Sequence, residues 1–196
     1  MRICFLGESF VNGTGDPEYL GWTGRICRAA WQQGFDVTYY NLGIRRETSP
    51  QLKARWFDEV RLRLPSEIDG RVVFSFGTND TTIEHHHRRV ELQDSIENLR
   101  DILTVAKQHF PVLMIGAPPI ADAEQTDRIE ALSEQMSIVC ESLNVPYLDV
   151  VSKLKHNAVW MAEVAQGEGA HPGAAGYEAL ADLVQSWTAW RSWFKQ

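Results

Sequence analysis

The sequence has few cysteines, little positive charge and no long apolar run, and each shortage excludes a class of protein. Its three cysteines, Cys4, Cys27 and Cys140, lie far apart without a CxxC pair, which is typical of a reducing compartment. The 19 Lys and Arg residues against 26 Asp and Glu give a net charge of −7, which argues against nucleic acid as the main partner. No run approaches the roughly 18 apolar residues that a membrane helix needs. We therefore expect a cytoplasmic protein without a membrane span.

Short apolar runs alternate with amphipathic stretches along the whole chain. Near-continuous apolarity is typical of strands that are buried on both faces. The amphipathic stretches space their apolar residues by three and four, which predicts helices that pack on a sheet. This alternation predicts a three-layer α/β/α sandwich around a five-stranded parallel sheet of order 2-1-3-4-5. No repeat or linker marks a boundary, so residues 1–196 are expected to form one domain. The predicted strands are residues 3–6, 37–42, 72–76, 112–115 and 145–151, and the clearest predicted helices are residues 52–60, 92–106, 129–143 and 177–187.

Residues with catalytic chemistry follow several of these strands. Ligands of such sheets bind beyond the carboxyl ends of the strands, where Ser9 and Asn79 lie in the predicted loops. A late loop adds His171, with Glu168 three positions before it. Alone, such a Ser is more typical of a helix cap and such a His of the surface. Together they supply a hydroxyl, a base for its proton, a carboxylate to orient that base and a donor for an oxyanion.

Five sequence blocks resemble those of the SGNH hydrolase superfamily, the GDSL-type esterases and lipases. They occur in the order of that family and extend from residue 7 to residue 177. The resemblance implies the flavodoxin-like SGNH fold and hydrolysis of a carboxylic ester, such as an O-acetyl or short acyl ester, through an acyl-serine intermediate. It implies no cofactor and no metal, and its partner is a small-molecule ester. The blocks are Gly-Glu-Ser at 7–9, the isolated Gly43, Gly-Thr-Asn-Asp at 77–80, Gly-Ala-Pro-Pro at 116–119, and His171-Pro172 with Gly176-Tyr177.

The resemblance also implies a role for each matched residue. Ser9 is the nucleophile and His171 is the base that takes its proton. The oxyanion is held by the backbone N–H groups of Ser9 and Gly43 and by the side-chain amide of Asn79. A glycine at position 43 fits this role because a residue without Cβ lets the backbone approach a ligand closely.

Two acidic residues depart from the family pattern. Glu8 replaces the usual Asp before the serine, and we expect a structural effect at most. Glu168 replaces the Asp of the family's DxxH block, and its longer side chain reaches the imidazole only if the loop backbone lies further back. Two alternatives stay open: Glu168 is a solvated carboxylate beside a Ser–His dyad, or Asp149 replaces it.

The same catalytic residues are compatible with a second enzyme class, an acyltransferase in which an alcohol resolves the acyl-enzyme. A non-catalytic flavodoxin-like module, binding FMN for example, is a third hypothesis, but it leaves Ser9, Asn79 and His171 unexplained. Consecutive histidines at 85–87 diverge in any regular backbone, so we expect no metal site there.

Several other side chains allow two interpretations. Arg45 and Arg46 are either solvated charges or contacts for an anionic group of the substrate. Trp22 belongs either to the core or to a pocket wall. The aromatic residues of the C-terminal helix pack on the domain itself or form a homo-oligomer interface; they are Trp187, Trp190, Trp193 and Phe194.

Overall fold

A parallel sheet forms the centre of the computed structural model, which describes residues 1–194, so the last two residues of the predicted domain 1–196 lie outside the described ones. The main sheet has five strands in the order β2-β1-β3-β6-β7, and every neighbouring pair is parallel. Numbered within this sheet, the order is 2-1-3-4-5, as the sequence predicts. The strands are β1 Arg2–Gly7, β2 Thr38–Gly43, β3 Gly70–Ser75, β4 Ile83–Glu84, β5 His87–Arg88, β6 Val112–Ile115 and β7 Tyr147–Leu148.

Helices cover both faces of the sheet, which confirms the three-layer sandwich. Alternate residues of β1 belong to different cores: Ile3 and Phe5 pack with one buried cluster, Cys4 and Leu6 with the other. This explains why β1 appears as a continuous apolar run. The helices are α1 Ser9–Asn12, α2 Gly21–Gln32, α3 Ser49–Arg63, α4 Leu92–His109, α5 Ala123–Ser142, α6 Val151–Leu154, α7 Ala158–Gln166, α8 Ala174–Ser186 and α9 Thr188–Ser192.

The two edge strands differ from their predicted form. Strand β2 is largely exposed, so its prediction as a strand buried on both faces was wrong. Strand β7 is two residues long instead of the predicted seven. The reason is a helix start: the side chain of Asp149 accepts the N–H of Ser152 at 3.2 Å, and helix α6 begins at Val151. Val150 and Val151 are buried even so, which explains the misleading apolar run.

A two-stranded antiparallel hairpin, β4–β5, was not predicted from the sequence. Its turn is formed by His85 and His86, whose φ angles are 51° and 67°. Two successive positive φ angles are characteristic of a type I′ turn. The histidine run therefore has a backbone role in this structure. Among residues 1–194 no cluster of three potential metal-ligating side chains occurs.

The predicted last helix ends as expected near Trp187, but the aromatic residues do not share one C-terminal helix, because Trp190 lies on a separate helix, α9, and Trp193 and Phe194 follow it. The extended backbone of Trp187 (ψ 126°) ends helix α8 and starts α9. Trp190 is 4% exposed and its ring lies 6.3 Å from that of Phe5 in β1. This cluster thus packs on the sheet of its own chain. None of the described helices is long and apolar enough to cross a membrane.

The surroundings of Trp22 and of the three cysteines show which role these buried residues have. Trp22 is fully buried and packs edge to face on Phe5, 5.6 Å between ring centres, so it belongs to the core and not to a pocket wall. The three cysteines are also buried, and burial raises the pKa of each thiol. They are therefore core residues without nucleophilic character at neutral pH.

Candidate active site

Ser9 lies at the carboxyl end of the central strand β1, where the chain turns into helix α1. The turn requires Gly7, which has φ +150° and whose Cβ, if present, would lie 1.8 Å from the carbonyl oxygen of Ser75. Ser9 is the first residue of α1 and 4% exposed. The first N–H groups of a helix have no partner within it. Among the described residues no acceptor contacts the N–H of Ser9, so it is free to donate into the pocket.

His171 comes from the loop between α7 and α8, near the other end of the chain, and meets Ser9 in the pocket. Its Nε2 lies 2.7 Å from Oγ of Ser9. The ring packs at 4.9 Å from that of Phe10, centre to centre. Behind it lies Gly15, where an added Cβ would lie 3.0 Å from Cβ of His171. The hydroxyl of Tyr177 donates to the carbonyl of Thr14 at 2.7 Å, which ties α8 to the same loop.

Glu168 contacts the other imidazole nitrogen, because its Oε1 is hydrogen-bonded to Nδ1 of His171. The glycine-flanked loop thus accommodates the longer side chain. Partial burial acts to raise the pKa of Glu168, but the hydrogen bond and charge of His171 hold it below its ordinary value. Burial lowers the pKa of His171 below about 6.5 even though Glu168 pulls it upward. The alternative carboxylate is elsewhere: Asp149 contacts Ser133 and Ser152.

A neutral His171 that donates Nδ1–H to Glu168 presents the lone pair of Nε2 to the Ser9 hydroxyl. In this tautomer the imidazole is the hydrogen-bond acceptor for the hydroxyl proton. The three side chains therefore form one chain of hydrogen bonds from a half-exposed carboxylate to a buried hydroxyl. That arrangement can move a proton from the serine to the imidazole and stabilise the resulting charge.

Gly43 ends β2 beside the start of α1, and the space next to it is filled by protein. An added Cβ would lie 2.3 Å from the backbone nitrogen of Asn12 and 2.7 Å from the carbonyl oxygen of Glu8. The glycine is therefore required by the packing of helix α1, and the close approach of its backbone to a ligand stays a prediction. Its N–H donates to Oδ1 of Asn41 at 3.1 Å. An Asn two residues before a glycine is the available sequence signal for such a turn.

Asn79 lies in the loop after β3, and protein acceptors take both protons of its side-chain amide. Nδ2 donates to Oε2 of Glu8 at 2.5 Å and to the carbonyl oxygen of Glu47 at 3.0 Å. An oxyanion in the pocket would have to share one of these protons. The same Glu8 carboxylate accepts the backbone N–H groups of Thr78 and Asn79, each at 3.0 Å.

Glu8 thus joins the Ser9 loop to the Asn79 loop. This role is structural, as the sequence predicts for the replacement of Asp by Glu at this position. The residue is 1% exposed. Burial raises its pKa to about 7, although the hydrogen bonds from Asn79 and Thr78 favour the charged form. The sequence signal for this role was an acidic residue directly between a buried strand and a buried helix. The sequence did not show which groups are hydrogen-bonded to its carboxylate.

A cavity of about 270 Å³ opens above these residues. This volume lies just below the lower end of the roughly 300–1,000 Å³ that is usual for pockets of drug-sized ligands. Its lining includes the hydrogen-bonded side chains of Ser9, His171 and Glu168. It also includes three arginines, Arg45, Arg46 and Arg89. The other lining residues are Phe10, Thr78, Asn79, Thr82, Glu84, Ile120, Gln125 and Ala170.

A serine, histidine and glutamate in one hydrogen-bonded chain at the strand ends of a parallel α/β sandwich are typical of the serine hydrolase class. The profile of the GDSL-like lipase/acylhydrolase family matches residues 5–179. The chain belongs to this family, within the SGNH hydrolases, and is a carboxylic ester hydrolase.

Individual relatives are distant in sequence. A GDSL lipase of Mycobacterium tuberculosis is 23% identical over 196 aligned residues, covering 93% of this chain and 79% of the relative. The crystal structure of a lipase/acylhydrolase from Enterococcus faecalis superposes with a TM-score of 0.78 at 23% identity, covering 93% of this chain and 92% of the other. An acetylxylan esterase from Geobacillus stearothermophilus gives 0.70 at 18% identity, covering 93% and 91%. These structural likenesses support the fold.

Proposed function

We propose that this chain cleaves esters of short acyl groups through a covalent acyl-enzyme on Ser9. The observation that carries the proposal is the hydrogen-bonded chain from Glu168 through His171 to Ser9 Oγ. The cavity of about 270 Å³ beside Ser9 is large enough for a short acyl group. Acetyl esters are the simplest such substrates, and the similar Geobacillus stearothermophilus structure is that of an acetylxylan esterase.

In the first half of the reaction, Oγ of Ser9 attacks the ester carbonyl carbon while Nε2 of His171 takes the hydroxyl proton. The negative charge that develops on the carbonyl oxygen is held by the N–H of Ser9, with Gly43 N–H and Asn79 as further donors. The N–H of Gly43 now donates to Asn41, and the amide of Asn79 now donates to Glu8 and Glu47, so both donors must share these protons with the oxyanion. A full oxyanion competes well for them because charged acceptors form the stronger hydrogen bonds. The C–O bond to the alcohol then breaks, and His171 passes its proton to the leaving oxygen.

In the second half, water attacks the acyl-serine and His171 takes one of its protons. The bond between the acyl carbon and Oγ breaks, the acid leaves, and the proton returns to Oγ of Ser9. Glu168 stays ionised and keeps the imidazole in the productive tautomer throughout. The cytoplasm remains the predicted location.

The experiment is labelling with a fluorophosphonate probe, combined with turnover of 4-nitrophenyl esters of increasing chain length. We expect labelling of the wild type and of the control Ser66→Ala, which changes an exposed loop serine. Ser9→Ala should remove the label, and His171→Ala should remove most of it because an unactivated hydroxyl is a poor nucleophile. Rates should fall as the acyl chain lengthens beyond what the cavity holds. Equal labelling of wild type and Ser9→Ala would refute the proposal.

A further inference from the structure

The lining of the cavity beside Ser9 carries more positive than negative side chains, in a protein of net charge −7. Three guanidinium groups, those of Arg45, Arg46 and Arg89, line the cavity together with two carboxylates, Glu84 and Glu168. An excess of one sign of charge in a cleft attracts ligands of the opposite sign. Which of these charges is available to a ligand depends on their partners in the protein.

Two of the three arginines are engaged in holding the loops together. Nη2 of Arg46 lies 3.1 Å from Oε1 of Glu84, and Nε of Arg89 lies 3.7 Å from the same oxygen. Arg89 also donates from Nη2 to the backbone carbonyl of Arg46 at 2.9 Å. These contacts join hairpin β4–β5 to the turn after β2. The turn is a strained one, since Arg46 has φ 68° although it carries a side chain.

Arg45, which precedes this fixed turn residue, has no such engagement. It forms no ion pair with any carboxylate within residues 1–194. Its charge nevertheless reaches the catalytic groups, because it contributes to lowering the pKa of both Glu168 and His171. Arg45 also lines a neighbouring groove of about 530 Å³ beside Tyr19 and Tyr39, so it stands where that groove meets the Ser9 cavity.

We propose that Arg45 binds an anionic group of the substrate, a carboxylate or a phosphate, within reach of the ester bond. The Arg46–Glu84–Arg89 contacts fix the turn that presents it. The planar guanidinium offers paired donors that match either anion. This inference rests on the proposed function, since it names the class of ester that the Ser9 site takes: one with a negative charge on its acyl part or on its alcohol part.

The experiment compares two matched pairs of esters at pH 8, where His171 is neutral. One pair carries the charge on the alcohol side, 4-acetoxybenzoate against its methyl ester. The other carries it on the acyl side, the 4-nitrophenyl monoester of glutaric acid against 4-nitrophenyl pentanoate. The measured quantity is the ratio of kcat/KM for the anionic ester to that for the neutral one, after subtraction of spontaneous hydrolysis.

We expect wild type to prefer the anionic member of one pair, and the pair that shows it identifies the side of the ester that carries the charge. Arg45→Gln should lower that ratio by about three- to tenfold, mainly through KM, which is the range between an exposed ion pair and a charge-assisted hydrogen bond. Arg45→Lys should keep part of the preference, and salt should weaken it. The control Arg100→Gln removes the same charge from an exposed position on helix α4 and should leave the ratio unchanged.

Two failures are distinguishable. If the neutral esters turn over normally but Arg45→Gln changes both members of each pair equally, or wild type shows no preference, Arg45 binds no substrate anion and the esterase function stands. If none of the four esters is hydrolysed, or Ser9→Ala hydrolyses them as fast as wild type, the proposed function itself fails and this inference fails with it.

Discussion

The substitution Glu8→Gln changes the charge of a buried side chain while keeping its size. The carboxylate of Glu8 accepts from three N–H donors, one on Thr78 and two on Asn79. A glutamine has a single acceptor oxygen, so it cannot accept at both ends as the carboxylate does. We expect the variant nonetheless to gain stability relative to wild type as the pH rises, because the cost of burying the charge exceeds what these hydrogen bonds return.

The magnitude follows from two pKa values of the same carboxyl. Burial, opposed by the hydrogen bonds, raises the pKa of Glu8 to about 7 in the folded protein, whereas a carboxyl in the unfolded chain ionises near about 4.3. Between these values the folded protein binds the proton more tightly. The contribution to stability is therefore fully present below about pH 4.3 and lost as the pH rises through about 7. From pH 5 to pH 8 this loss amounts to about 2–3 kcal/mol, and glutamine has no such proton to lose.

The assay is urea unfolding of wild type and Glu8→Gln at pH 5 and pH 8, with the free energies of unfolding extrapolated linearly to water. The difference between the two proteins should move in favour of the variant by about 2–3 kcal/mol over this interval. Glu67→Gln, which removes the same charge from an exposed loop, should track wild type at both pH values. A difference that stays constant, or moves in favour of wild type, would show that the hydrogen bonds outweigh the cost of burial and would refute this reasoning.

Substitutions at two further positions, 168 and 43, probe the surroundings of Ser9 and His171. Glu168→Gln should lower kcat for an activated ester by about 10²–10³. This loss is smaller than in a fully buried triad, because water partly replaces a half-exposed carboxylate, and the kcat of Glu168→Asp should lie between those of wild type and Glu168→Gln. A loss below about threefold for Glu168→Gln would instead indicate a Ser–His dyad. Gly43→Ala should lower both kcat and the melting temperature because its Cβ would displace the start of helix α1, at a cost of about 1–3 kcal/mol. The matched control is Gly24→Ala, whose Cβ comes no closer than 3.3 Å to a neighbour, and a Gly43→Ala enzyme with wild-type kcat and melting temperature would contradict the packing argument.

The central part of the fold was predictable because its strands are buried on both faces and therefore carry an unbroken apolar signal. At the edges this signal is misleading. Strand β2 is exposed, and the apolar run at the end of β7 belongs partly to a helix whose start depends on the Asp149 side chain. Hairpin β4–β5 has only two residues in each strand, which is too short for any periodicity.

At the candidate site, sequence blocks predicted which residues converge but not which hydrogen bonds they already make. Ser9, Glu168 and His171 meet as the resemblance implies. That Asn79 donates to Glu8 depends on the packing of two loops some 70 residues apart, which no local pattern encodes. The sequence did not show either that Arg45 forms no ion pair within residues 1–194, because this depends on the Glu84 carboxylate being shared by Arg46 and Arg89.

The contact between Ser9 and His171 joins residues that are 162 positions apart. A ribosome that has synthesised Ser9 must therefore add nearly the whole chain before His171 exists. Strand β1, helix α1 and the Gly43 turn can assemble early, but the Ser9 hydroxyl has no imidazole beside it until the segment before α8 has left the ribosome and docked against Gly15 and Thr14. Incomplete chains that stop before residue 171 would consequently present Ser9 without the histidine that, under the proposed function, activates it.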